Sequence, residues 1–108
     1  MTDGFEERKK AAEEKFAHDA ELRFKAEARR NRLFGLWVAE LLGLSGAAAG
    51  AYAKEVVLSD LDEPGTEDVL RKVRADLEAK GVEVSDHRLR RRLEELLAEA
   101  LEQVKREG

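Results

Sequence analysis

The chain contains no cysteine, and proline, tryptophan and tyrosine occur once each. Without cysteine there is no disulfide framework and no thiolate metal site, which suits a reducing compartment. The lone proline, Pro64, leaves long stretches in which nothing forbids a helix. Long apolar runs are also missing. The longest, Leu33 to Leu44, is interrupted by Glu40 and falls short of the roughly 20 residues that a membrane span needs. The start "MTDGFEERKK" has no apolar core of a secretory signal. These absences lead us to expect a soluble protein with no direct insertion into a membrane.

Strand patterning is absent as well, since no segment alternates apolar and polar residues over a length that makes a credible strand. What the sequence has instead is charge: 41% of its 108 residues are Asp, Glu, Lys or Arg, with a net charge of -4. High charge together with abundant Ala and Leu points to long solvated helices in a single module. The expected fold class is all-α, a four-helix bundle with a mobile N-terminal segment that extends the first helix.

Glycines and capping residues set the boundaries. Helix 1 is predicted from about Gly4 to Leu42, with Gly43 closing it and Ser45 capping helix 2. Helix 2 ends before "DEPGTED", where Pro64 and Gly65 break the chain and Thr66 caps helix 3. Glu67 and Asp68 suit the positive end of that helix's dipole. Val69, Leu70, Val73 and Leu77 give it an apolar face, and Lys80 and Gly81 end it. Ser85 then caps helix 4, whose Leu89, Leu93, Leu96, Leu97, Ala100 and Val104 follow core-facing spacing.

The lengths carry a functional argument. Helix 4, at about 20 residues, spans about 30 Å and is matched by Leu22 to Leu42 of helix 1. A bundle of residues 19–108 is therefore complete without residues 1–18, which overhang it. At about 100° per residue Phe5, Ala12, Phe16, Ala20 and Phe24 share one face, which Phe34, Val38 and Leu41 continue. Over the overhang this stripe offers only Phe5, Ala12 and Phe16. That area is too small to offset an ordering cost of about 1 to 2 kcal/mol per residue. Residues 1–18 are expected to be frayed or disordered when free and to order in a partner's groove.

Other chemistries find little support. His18 and His87 lie outside the paired Glu-x-x-His motifs of a carboxylate-bridged metal site. There is no Gly-x-Ser-x-Gly nucleophile and no phosphate-binding Gly-x-x-x-x-Gly-Lys motif, so no enzymatic activity, metal or cofactor is expected. The basic clusters "ARRNR" (28–32) and "HRLRRR" (87–92) have the forks that pair with phosphate. The net negative charge argues against nucleic acid, and pairing with neighbouring carboxylates is the expectation for these arginines. Phe24, Phe34 and Trp37 are expected in the core, with the Tyr52 hydroxyl at its rim.

The segments "KFAHDAELRFKAEARRNRLFGLWVAELLGL", "AYAKEVV" and "EDVLRKVRADLEAKGVEVSDHRLRRRLEELLAEALEQV" together resemble the zeta subunit of the F-type ATP synthase of alphaproteobacteria. "KFAHD", "FKAEARRN" and "SDHR" carry the likeness in that order, and it covers nearly the whole chain. The resemblance implies an inhibitor of the rotary ATPase, functionally similar to the mitochondrial inhibitor protein. It implies a monomer when free that binds the alpha, beta and gamma subunits of F1-ATPase, in the cytoplasm at the inner membrane. It further implies that the N-terminal helix enters the alpha/beta interface beside gamma and blocks rotation in the hydrolytic direction. Phe5, Ala12 and Phe16 would then meet apolar walls, and Glu6, Glu7, Arg8, Lys9, Lys10 and Glu13 polar groups. A weak ADP or ATP site on the bundle is also implied, with the arginines at 29, 30 and 88–92 the places to look. The residues alone leave two alternatives open, a non-inhibitory adaptor bundle and a weak nucleotide-sensing bundle.

Overall fold

A computed structural model of the protein describes the backbone of residues 3–60 and 65–107 and the side chains of residues 19–60 and 65–107. Four helices follow in chain order: α1 (Asp3–Leu41), α2 (Gly46–Ser59), α3 (Glu67–Lys80) and α4 (Asp86–Glu107). No strand occurs among the described residues. The boundaries lie within a residue or two of those read from the glycines and caps, and the class is all-α as expected.

Two turns show why the helices stop where they do. Gly43 has a positive φ of 80°, and there the Leu44 N–H donates to the Ala39 carbonyl at 2.8 Å and the Gly43 N–H to Glu40 at 3.0 Å. Gly81 (φ 75°) repeats this at the end of α3, where the Val82 N–H reaches Leu77 at 2.9 Å and the Val82 side chain packs on the core. Both are left-handed closures that satisfy the last carbonyls of a helix, and glycine adopts them without steric cost. Of the three residues read as caps, only Ser85 acts through its side chain, its Oγ accepting from the Arg88 N–H at 3.1 Å. Ser45 and Thr66 stand at the cap positions but make no side-chain cap bond.

α1 packs mainly against α2 and α4, and α2 against α3. The main core gathers Phe34 and Val38 of α1, Leu42 just beyond its end, Val56 of α2, Leu70 and Val73 of α3, and Leu89, Leu93 and Leu96 of α4. Gly35 lets α2 come close: a Cβ there would lie 2.7 Å from the Ala53 Cα, inside any permitted contact. A second, smaller cluster joins Ala26 of α1 to Ala100 and Val104 of α4, flanked by Leu22, Leu97 and Leu101.

Phe24 is not in the core. It is 74% exposed, and Ala20 is exposed too, so the single stripe expected along α1 does not run unbroken into the bundle. The cause is the length of α2. Its 14 residues end at Ser59, and Asn31 of α1 already contacts the capping Asp60. Toward its N-terminus from there, α1 is covered chiefly by α4, which takes the Leu22, Ala26 and Leu33 side of the helix. Phe24 projects from the side that α2 would have covered had it been longer. Phe34 is fully buried as expected, and Trp37 is half-buried, stacked on Phe34 with ring centroids 5.8 Å apart.

The 39 residues of α1 span about 58 Å, against about 33 Å for the 22 residues of α4. The longest helix therefore sets the long dimension of a molecule measuring 68 × 24 × 22 Å.

Candidate functional site

The residues assigned to partner binding from the sequence, Phe5, Glu6, Glu7, Arg8, Lys9, Lys10, Ala12, Glu13 and Phe16, fall in the first turns of α1. Their side chains lie outside the described residues, as does that of His18. What the backbone supplies is register. An α-helix beginning at Asp3 places Phe5, Ala12 and Phe16 on one side, which Lys9 shares, and distributes the other charged residues around the remainder.

The two basic clusters are mostly consumed by neighbouring carboxylates. Arg29 makes a bidentate bridge to Glu107, one arm at 2.7 Å, which ties α1 to the last turn of α4. Arg90 reaches Asp86 at 2.7 Å and Glu67 at 2.9 Å, joining α4 to the first turn of α3. These hydrogen bonds raise the Arg90 guanidinium above its ordinary pKa and hold the Glu67 and Asp86 carboxyls below theirs. Arg91 and Arg92 both pair with Glu95. Arg88 makes no ion pair among the described residues. Its guanidinium lies 5.8 Å from the Trp37 ring centre, with that of Arg92 at 5.9 Å, a cation–π arrangement at the rim of an open depression of about 330 Å³.

Arg30 behaves differently. It and Asn31 are the two buried polar or charged residues among those described. Arg30 donates through Nε and Nη2 to the Asn31 Oδ1, at 3.2 and 3.1 Å, and Asn31 Nδ2 donates to Asp60 Oδ2 at 2.9 Å. Burial lowers the Arg30 pKa, opposed by the charges of Glu27 and Asp60. Burial likewise raises the Asp60 pKa, opposed by the Asn31 hydrogen bond and by Arg30. This chain fixes the end of α2 to α1, so Arg30 serves the fold and is unavailable to a phosphate. The sequence reading did not find it. The available signal was Asn31, a polar residue at a core-facing position four before Gly35.

Tyr52 places its hydroxyl at the rim, donating to Asp76 at 2.8 Å. No group of three or more potential metal ligands occurs among the described residues, and His87 is exposed. No described helix is long and apolar enough to cross a membrane.

The fold defines a class, an all-α bundle whose first helix outruns every helix packed against it. The protein-family match agrees: a family described as ATPase inhibitor subunit zeta aligns with residues 1–103. The chain belongs to the ATPase inhibitor subunit zeta family. Its role at that level is inhibition of an ATPase as an associated subunit. A protein whose structure was determined by solution NMR is similar in sequence and shape. It is 52% identical, the alignment covers 81% of this chain and 99% of that one, and the TM-score is 0.71. No curated protein matches.

Proposed function

We propose that this chain inhibits the F-type ATP synthase by inserting the N-terminal part of α1 at the catalytic interface of alpha and beta beside gamma, stopping hydrolytic rotation. The observation that carries this reading is the mismatch of helix lengths: α1 has 39 residues, while its packing partners have 14 and 22. A bundle needs no such overhang for its own stability, and a helix with an apolar side and mixed charges suits a groove. Residues 1–18 form the inhibitory segment and order fully on binding, the cost being met by contacts in the cleft. Phe5, Ala12 and Phe16 face its apolar walls, while Glu6, Glu7, Arg8, Lys9, Lys10 and Glu13 meet polar groups. The chain is a monomer when free, acts in the cytoplasm at the inner membrane, and performs no catalysis of its own.

Substitution of both Phe5 and Phe16 by Ala tests the assignment. The expected result is at least about a tenfold loss of inhibitory potency, as for the loss of buried aromatic anchors, with bundle helicity by circular dichroism unchanged. Unchanged potency would contradict it.

A second reading, weak binding of ADP or ATP, draws on the Trp37 depression. Arg88 makes no ion pair among the described residues, and its guanidinium, held over the Trp37 ring at the edge of the depression, is a fork that suits a phosphate. Titration with ADP is expected to shift the Trp37 indole resonance, an effect lost at high salt. No shift would remove this reading without touching the first.

A further inference from the structure

Phe24 stands alone among the described aromatic residues in being mostly exposed, at 74%. It borders an open depression of about 690 Å³ that includes Ala28 and Arg32 of α1, Val57 of α2, and Val104 and Glu107 of α4. The rim is basic. Lys25, Arg29 and Arg32 line it against the single carboxylate of Glu107, in a chain whose net charge is -4. Arg29 is spent on Glu107 and Lys25 on Glu21, whereas Arg32 makes no ion pair among the described residues.

The position of Phe24 along α1 suggests what covers it. α1 is continuous from Asp3 to Leu41, so Phe24 is carried on the same rod as the N-terminal segment. It follows Phe16 by eight residues, about 12 Å along the axis and about 80° around it, with Ala20 between. A partner surface that receives the Phe16 side of the helix meets Phe24 by extending that far along and around the rod. From this continuity and the local charge, we infer that the Phe24–Ala28–Arg32 face is a second docking surface for the ATPase head. It receives a protein surface with an apolar socket for Phe24 and acidic side chains for Arg32. The inference rests on the reading that the N-terminal part of α1 enters that head. It adds to that reading a contact made by the bundle itself, which fixes how far the helix is inserted and from which side.

The experiment uses the full chain, with Phe24→Ala and Arg32→Glu made separately. Both positions are exposed, so the thermal midpoint serves as a check that folding is unaffected. Inhibition of ATP hydrolysis and binding to the isolated ATPase head are measured for each variant beside the unaltered chain and the Phe5/Phe16 double variant. The expected result is an affinity about tenfold weaker for Phe24→Ala, mostly through faster dissociation. Arg32→Glu is expected to lose affinity most at low ionic strength, where an unscreened acidic partner repels it most. If the unaltered chain inhibits, the double variant fails, and both single variants stay within about twofold of the unaltered chain, this surface is overturned while the insertion reading stands. If the unaltered chain does not inhibit at all, the insertion reading fails and this inference with it.

Discussion

The two ends of the bundle are built to different standards. At the end near the α1–α2 turn, all four helices contribute to the main core, which encloses Phe34, Val38, Val56, Leu70 and Leu89 with no exposure at all. At the other end, α1 and α4 meet through Ala26, Ala100 and Val104, small side chains that bury little area, and Phe24 remains in solvent. Stability is concentrated where the N-terminal segment is not. The lesson is physical: a short α2 ends the main core before α1 leaves the bundle, and so part of α1 is available for contacts outside the chain.

The largest test of this contrast lies at the closed end. Phe34→Ala is expected to cost about 3–5 kcal/mol, measured by denaturant unfolding, because the cavity forms where four helices meet. Phe24→Ala at the open end is expected to leave stability within about 0.5 kcal/mol, since little is buried there. Comparable losses at both positions would dissolve the contrast.

Gly35→Ala sharpens the comparison at a smaller scale. The added methyl meets backbone at 2.7 Å, so α1 and α2 must part, at an expected cost of about 1–3 kcal/mol. Gly50→Ala, where a Cβ meets nothing within 4 Å, is expected to stabilise α2 by up to about 1 kcal/mol. A stabilising effect at Gly35 would show that the close approach is not required.

The boundary between the two ends has a pH signature of its own. Asp60 has a raised pKa because of burial, so its charged form is disfavoured in the folded chain. Its penalty is absent below the unfolded pKa and fully present above the folded one. Asp60→Asn is therefore expected to raise the thermal midpoint slightly at neutral pH, with the gain shrinking as pH falls through the carboxylate range. Glu67, Asp86 and Glu107 act with the opposite sign. Their lowered values mean a contribution present above the unfolded pKa and lost as pH falls through the folded one. A gain for Asp60→Asn that grew on acidification would refute the assignment.

How much of this was legible in the sequence depends on the range of the interaction. Gly43, Gly81 and Ser85 act within a single turn, so their roles followed from local spacing and were found in the structure. The stripe of α4 was equally clear, with Leu89, Leu93, Leu96, Ala100 and Val104 all buried and Leu97 partly buried at its edge. Phe24 was misplaced because periodicity reports which side of a helix is apolar and does not report where the neighbouring helix stops. Gly35 and the Arg30–Asn31–Asp60 chain were not seen, since each depends on a residue of α2 or its C-cap at least 18 positions away. The assignment of the inhibitory segment came from helix length and resemblance, and the family match supports the inhibitory role while the individual side chains await their test.

The most direct measurement is the ATP hydrolysis rate of an F1 sector stripped of endogenous inhibitor, titrated with the full chain and with residues 19–108, whose helicity is checked in parallel. Saturating inhibition by the full chain, with none by a folded 19–108, is the predicted result and would establish the N-terminal part of α1 as the blocking element. Equal inhibition by the two would contradict the account and move the blocking surface onto the bundle.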